Sequence, residues 1–205
     1  VINNSNINFN ELDHLFFTCE LLNSFKKLSL KPIIFQTKQF NFELKKLNFY
    51  PENHLIFYSS LKNSFLSFEV NKIIKKNIDD IMNYNYEGGA CGKYAISSSM
   101  RMLRVAEINL NNKKHKLCLI YNLKKSILYT NAAYNYLNKY KIKFALFNDR
   151  GYAGEGELYD ICVNRGVKCI QFISTYKNNS LLLKKFKKNN KSDHPSSVGD
   201  KIWSN

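Results

Sequence analysis

Apolar residues recur along the chain at two spacings, one typical of helices and the other typical of short buried strands. Helical spacing predicts helices over 11–28, 40–47, 66–83, 94–106 and 117–140, with a break near Asn122 in the last of them. Short apolar runs predict strands at 33–35, 54–58, 143–148 and 169–173. Helices that alternate with short buried strands favour an α/β fold with a mainly parallel sheet.

Residues 144–175 carry the clearest pattern of the chain. The apolar run FALF is followed by a polar loop with three glycines, by a segment of helical spacing and by a second apolar run. This order predicts two parallel strands that are joined by a helix over 156–165, with Gly166 as a left-handed helix cap.

The polar loop lies where α/β proteins usually bind their ligands, beyond the carboxyl end of a strand. Its glycines do not match a dinucleotide fingerprint, and no phosphate-binding lysine follows. Glu155 and Glu157 would lie at the positive end of the following helix, where they repel a second anion. The carboxylates of Asp149 and Glu155 suit sugar hydroxyls instead, as hydrogen-bond acceptors or as a general base. Alternatively, the glutamates only stabilise the helix and Asp149 forms a turn.

A second candidate site is the segment YEGGACGKYAISSSMRMLR at 86–104. Its three glycines allow a close approach of the backbone, and Lys93 with the first helical amides could face an anion. Arg101 and Arg104 are three residues apart and therefore share a helix face. The alternative is a turn between two helices, followed by a solvated basic face.

The charge balance is strongly basic, with 31 Lys and Arg against 16 Asp and Glu and a net charge of +15. Only four of the basic residues are Arg, which nucleic-acid readers favour, so no specific nucleic-acid partner is expected. Abundant Lys, Asn and Ile indicate codon drift in an AT-rich genome. The charge would still attract an anionic membrane surface or a phosphate-bearing substrate.

Several residue patterns bear on the compartment. The five cysteines have no metal-ligand spacing, which predicts a reducing compartment, cysteines used as core residues and no metal site. No apolar run approaches 18 residues, and the first residues lack the pattern of a signal peptide. We therefore expect a cytoplasmic protein, with peripheral contact at the inner face of a membrane.

The segment HPSSVGDKIW at 194–203 predicts a domain boundary. Ser197 with Asp200 resembles a capping box that opens a helix over 198–205. The predicted organisation is one domain over 1–192, with 193–205 starting a linker helix toward a second domain.

Two segments resemble surface-polysaccharide biosynthesis proteins, which are similar to glycosyltransferases of the two-Rossmann-domain GT-B architecture. The first follows the pattern Y-x-G-[IL]-x-[IL]-G-x-x-x-x-x-[ST]-x-x-R, and the second follows Y-x-x-x-G-x-[IL]-x-x-x-A-x-x-x-G-[IV]. Matching positions are Tyr86, Gly88, Gly92, Ser98 and Arg101 in the first, and Tyr152, Gly156, Leu158, Gly166 and Val167 in the second. HPSSVGDKIW resembles a later stretch that ends the first domain. The chain departs from the patterns at Gly89, Cys91 and Cys162.

The resemblance implies a Rossmann-like, acceptor-side domain of a glycosyltransferase. No cofactor would be tightly bound, and a nucleotide sugar would be the donor substrate, held chiefly by the second domain. The acceptor would be a glycan or a lipid-linked sugar, and Asp149 or Glu155 would take the proton of its hydroxyl. The expected acceptor-binding residues are Gly88, Gly89, Gly92, Lys93, Tyr94, Arg101, Arg150, Tyr152 and His194.

Two other functions remain open from the residues alone. The first is a non-enzymatic basic α/β module that binds nucleic acid or an acidic partner. The second is a small-molecule enzyme of the flavodoxin type, although its phosphate loop after the first strand is not found in the sequence.

Overall fold

The computed structural model describes residues 34–36, 54–56, 60–147, 149–174 and 181–194. The chain divides into two compact units, Val1–Tyr58 and Ser59–Asn205. In the first unit, β1 (Ile34–Gln36) and β2 (His54–Ile56) pair in parallel, which confirms the two strands predicted there. The helices predicted over 11–28, 40–47 and 198–205 lie outside the described residues.

The second unit begins with four helices and continues with alternating strands and a helix. The helices are α1 (Asn63–Ile73), α2 (Ile78–Met82), α3 (Cys91–Leu103) and α4 (Lys113–Lys139). There follow β3 (Phe144–Phe147), α5 (Gly156–Asn164), β4 (Lys168–Ser174), β5 (Leu181–Phe186) and a 3₁₀ turn (Lys188–Asn190).

The three strands of this unit form one sheet in the order β3-β4-β5. β3 pairs with β4 in parallel, with Phe144 opposite Lys168, so the predicted pair of parallel strands joined by a helix is confirmed. β4 pairs with β5 antiparallel, with Cys169 opposite Phe186. β5 was not predicted from the sequence. The described fold is therefore mixed α/β with a small, mixed sheet.

The sheet and α5 enclose an apolar core that contains three aromatic rings. Tyr159 makes edge contacts with Phe147 and Phe186, with ring centroids 5.5 and 5.6 Å apart. Burial of such rings is a main contribution to the stability of small domains. Cys162 and Cys169 are also fully buried in this core, as expected of cysteines that serve as small apolar residues.

The segment 66–83 forms two helices, so the prediction of one continuous helix there is wrong. α1 ends at Ile73 and α2 begins at Ile78. The reason is local, because the Asn77 side chain accepts a hydrogen bond from the Asp80 amide at 2.8 Å and caps a new helix. Apolar residues on both helices still reach one core, which explains why the periodicity looked continuous.

The predicted break near Asn122 is also wrong, because α4 runs without interruption through this position. Asn122 is buried, and its amide donates to Ser99 Oγ at 3.0 Å and to the Cys118 carbonyl at 3.1 Å. A polar residue with such partners is tolerated inside a helix–helix interface.

Candidate functional site

A shallow, open groove of about 600 Å³ lies between the C-terminal half of α3 and the loop that follows β3. α3 contributes Ser97, Met100 and Arg101, Arg104 follows directly after α3, and the loop contributes Asp149, Gly151 and Tyr152. Three predicted site residues, Arg101, Asp149 and Tyr152, are thus brought together at one place. The groove follows the carboxyl end of β3, which is where ligands bind in sheets with parallel strands.

Asp149 has two different sets of partners. One of its oxygens accepts hydrogen bonds from the amides of Arg150 at 2.6 Å and Gly151 at 2.8 Å, which shapes the turn after β3. The other oxygen lies 3.9 Å from Arg101 Nη1, and both side chains are largely exposed. An exposed ion pair at this distance is weak, so an incoming ligand could replace either partner.

Arg101 lies over the ring of Tyr152, with the guanidinium carbon 4.5 Å from the ring centroid. This stacking holds the side chain in the groove and leaves its edge donors accessible. The groove lining thus contains an aromatic ring and a guanidinium in contact with each other.

Glu155 precedes α5, and its side chain makes no cap hydrogen bond to that helix. Burial raises the pKa of its carboxyl to about 7, and the Asp149 charge raises the pKa further. The residue as a whole is exposed, although its carboxyl is partly withdrawn from water, and it does not line the groove. A carboxyl with a raised pKa has the protonation behaviour of a general base near neutral pH.

Glu157, in contrast, is fully buried and takes part in the packing of three helices. Its carboxyl accepts hydrogen bonds from Ser126 Oγ of α4 and from the Gly154 amide, the latter at 2.6 Å. Burial raises the pKa of Glu157 to about 7, although these two hydrogen bonds act in the opposite direction. Glu157 is therefore a structural residue that binds the loop to the start of α5.

The raised pKa of Glu157 predicts a specific pH dependence of stability. Between pH 4.5, the ordinary pKa of Glu, and about pH 7, Glu157 keeps its proton in the folded protein but loses it in the unfolded chain. The contribution of Glu157 to the free energy of unfolding is therefore fully present below pH 4.5. It falls by about 3 kcal/mol as the pH rises through 7. Glu157→Gln should remove that loss, and urea unfolding between pH 4.5 and 8 measures it.

Other carboxyls with raised pKa also contribute to the wild-type profile, so the difference between variant and wild type is the quantity to follow. The exposed Glu107 offers a matched control, because Glu107→Gln should leave the profile unchanged. Parallel profiles for Glu157→Gln and wild type would contradict the assigned pKa.

The glycine-rich segment lies in tight packing contacts rather than along the groove. An added Cβ at Gly92 would lie 1.6 Å from the Ile81 carbonyl oxygen, and one at Gly89 would lie 2.8 Å from Thr130 Oγ1. Tyr94 is buried with its ring against Gly156, and burial raises the pKa of its phenol well above the usual range. Lys93 is exposed on the first turn of α3.

Polar side chains of α5 hold this glycine-rich segment. Asp160 accepts a hydrogen bond from the Ala90 amide at 3.1 Å, and Asn164 Nδ2 donates to the Gly88 carbonyl at 3.1 Å. The two segments that motivated the resemblance are thus in direct contact. Gly88, Gly89, Gly92 and Tyr94 have packing roles here, and acceptor binding by them stays a prediction.

Arg150 is engaged in structural contacts. It donates to Gln171 Oε1 at 2.9 Å and to the carbonyls of Lys191 and Asp193, and it lies over the rings of Tyr159 and Phe186. These contacts fasten the segment after β5 to the sheet and use three of the five N–H donors of the Arg150 guanidinium.

His194 is exposed, and its carbonyl accepts a hydrogen bond from Lys184 Nζ at 2.8 Å. It does not line the groove. A role for His194 in acceptor binding stays a prediction.

Arg104 and Ser97 were not among the predicted site residues, although both line the groove. The sequence placed Arg104 on the face of Arg101, but its backbone conformation was not visible in the pattern. Ser97 had no sequence signal beyond its place in the helix.

The part of the chain that the structure describes contains no group of three or more His, Cys, Asp or Glu side chains that could hold a metal ion. Among the described helices, none combines the length and the apolarity that crossing a membrane requires.

Comparisons with known proteins found no relatives. No protein-family model, no curated protein and no solved structure matches this chain.

Proposed function

We propose that this chain is the acceptor-side part of a glycosyltransferase-like protein with a Rossmann-like fold of the GT-B kind. It would transfer a sugar from a nucleotide-sugar donor to a glycan or lipid-linked acceptor in surface polysaccharide synthesis. The observation that carries the proposal is the groove beyond β3, where Asp149 and Tyr152 meet Arg101. A carboxylate, an aromatic ring and a guanidinium are groups that bind and orient sugars.

In the proposed reaction the acceptor hydroxyl oxygen attacks the anomeric carbon of the donor sugar. The bond from that carbon to the nucleotide breaks, and its electron pair leaves with the nucleotide phosphate. Glu155 takes the hydroxyl proton, for which its raised pKa suits it. Asp149, which the turn amides and Arg101 hold in place, accepts a hydrogen bond from a neighbouring acceptor hydroxyl.

The donor would bind chiefly to a second domain, and the groove described here would hold the acceptor. A lipid-linked acceptor places the protein in the cytoplasm, at the inner face of a membrane. The net charge of +15 favours such peripheral contact with anionic lipids.

A second candidate function is a basic module that binds nucleic acid or an acidic partner. The exposed lysines at the end of β5 and in the following turn, Lys185, Lys187 and Lys188, favour it. Lysines without arginine or aromatic partners predict non-specific binding that depends strongly on salt.

A two-part experiment distinguishes the two functions. The protein is incubated with a panel of nucleotide sugars and glycan acceptors, and the released nucleotide is measured. Binding to duplex DNA is measured by fluorescence anisotropy in 50 and 200 mM salt. The transferase predicts nucleotide release that depends on the acceptor, together with DNA binding that disappears at the higher salt. Sequence-selective DNA binding that persists at 200 mM salt, without nucleotide release, would reject the transferase.

A further inference from the structure

Arg104 occupies a backbone position that glycine normally fills. Its φ is 56°, in the left-handed region, and it directly follows α3. The Arg104 amide donates to the Arg101 carbonyl, and the Val105 amide donates to the Met100 carbonyl at 3.1 Å. These two hydrogen bonds define a Schellman motif, in which a side chain at the left-handed residue is strained.

The end of α5 shows the same motif with the usual residue. There Gly166 has a φ of 75°, and its amide donates to the Val163 carbonyl at 3.1 Å. The Val167 amide donates to the Cys162 carbonyl at 2.9 Å. Two identical helix ends in one chain therefore differ in having Gly166 in one and Arg104 in the other. Strain that persists at one position points to a use for the side chain.

Arginine is scarce in this chain, and three of its four arginines have contacts that favour a planar guanidinium. Arg150 forks between several acceptors, Arg165 lies 4.6 Å over the ring of Tyr134, and Arg101 stacks on Tyr152. Only a guanidinium can fork between several acceptors as Arg150 does, whereas lysine also lies over rings in this chain, as Lys125 does over Tyr129. In the described part of the chain, Arg104 alone of the four has a side chain without a hydrogen bond, an ion pair or a ring contact.

Arg104 lines the groove together with Arg101, from the position directly after α3. The acidic group of the groove lining, Asp149, is 3.9 Å from Arg101 and already accepts two amide hydrogen bonds. The lining thus holds one carboxylate and two guanidinium groups, and the groove retains an excess of positive charge. An oxyanion carried by a ligand would fill it.

We propose that Arg104 and Arg101 form an anion-binding subsite that holds a phosphate or carboxylate group on the acceptor. The inference rests on the proposed function in one respect, because it takes the groove ligand to be the acceptor sugar. The competing explanation is that both arginines only stabilise the negative end of α3. A lysine would do that equally well, whereas bidentate binding of an oxyanion requires the guanidinium.

The test compares Arg104→Lys, Arg104→Gly and the control Lys116→Ala, which removes an exposed charge of α4 that does not line the groove. Binding of glucose 1-phosphate and of glucuronate is measured by NMR titration, with glucose as the uncharged reference. Arg104→Lys should weaken binding of the preferred anion about tenfold, since one charge-assisted hydrogen bond is lost. Lys116→Ala should bind as wild type does.

Arg104→Gly separates binding from stability. It should abolish detectable anion binding while leaving the melting temperature unchanged or raising it by about 2–4 °C, because glycine relieves the strained backbone. If glucose 1-phosphate binds more tightly than glucuronate, the subsite prefers a phosphate, and the reverse order indicates a carboxylate.

The subsite is overturned if wild type binds neither anion more tightly than glucose, or if Arg104→Lys and Arg104→Gly bind both anions as wild type does. Anion binding that depends on Arg104 in a protein without transferase activity would support the subsite and reject the proposed function. Sugar transfer that is equally fast in Arg104→Gly would support the function and reject the subsite.

Discussion

Replacement of Glu155 by Gln is expected to lower the turnover of sugar transfer by roughly 10²–10⁴-fold, the range found for the loss of a general base. Gln keeps the size of the side chain but cannot take a proton. Glu155 makes no cap hydrogen bond to α5, so Gln should not destabilise the fold, and removal of a carboxyl whose pKa the fold raises should stabilise it at neutral pH. Released nucleotide and urea unfolding are measured on the same preparations.

Asp149→Asn provides the companion variant. Asn retains an oxygen for the amides of Arg150 and Gly151, so the turn should persist. It removes the charge beside Arg101, and the main expected effect is weaker acceptor binding rather than slower proton transfer. A rise in KM for Asp149→Asn and a fall in kcat for Glu155→Gln would assign the two roles. Full transfer rates in both variants would reject both roles and leave the loop as a structural element.

Gly92→Ala is expected to cost more than about 3 kcal/mol of stability, or to prevent folding, because an added methyl has no room. The new Cβ would lie 1.6 Å from the Ile81 carbonyl oxygen and 2.7 Å from its carbon. Both atoms belong to the backbone of α2, so relief requires that α2 and α3 move apart. Yield of folded protein and chemical unfolding measure the effect.

Gly151→Ala is the matched control for this substitution. Its added Cβ would be in ordinary contact, with the nearest atom, Asp149 Oδ1, at 3.5 Å. Stability within about 0.5 kcal/mol of wild type is expected for this variant. Equal stabilities of the two variants would mean that α2 and α3 are not packed as closely as described.

The tight position of Gly92 also bears on the glycine-rich motif. Gly92 was expected to admit a ligand to the backbone, whereas it admits the carbonyl of a neighbouring helix. Glycine in a sequence indicates that something approaches closely, but it does not reveal whether that partner is a ligand or another part of the chain.

The sequence by itself determined the features that depend on neighbouring residues. The alternation of apolar runs and a short helical segment was sufficient to predict β3, α5 and β4, and the parallel pairing of β3 with β4. Gly166 was recognisable as the left-handed cap because glycine is the usual residue at that position. Asp149 was identified as a groove residue because it directly follows a strand.

Only the tertiary structure decided features that depend on residues far apart in the chain. Burial against Ser99 lets Asn122 continue a helix that its polarity seemed to interrupt. Pairing with β4 makes a strand of the basic segment that contains Phe186, because cross-strand hydrogen bonds and core contacts outweigh a weak local pattern. Glu155 and Glu157 are two residues apart and look equivalent in the sequence. The fold exposes the first and buries the second against Ser126, and that difference separates the candidate base from a structural carboxyl.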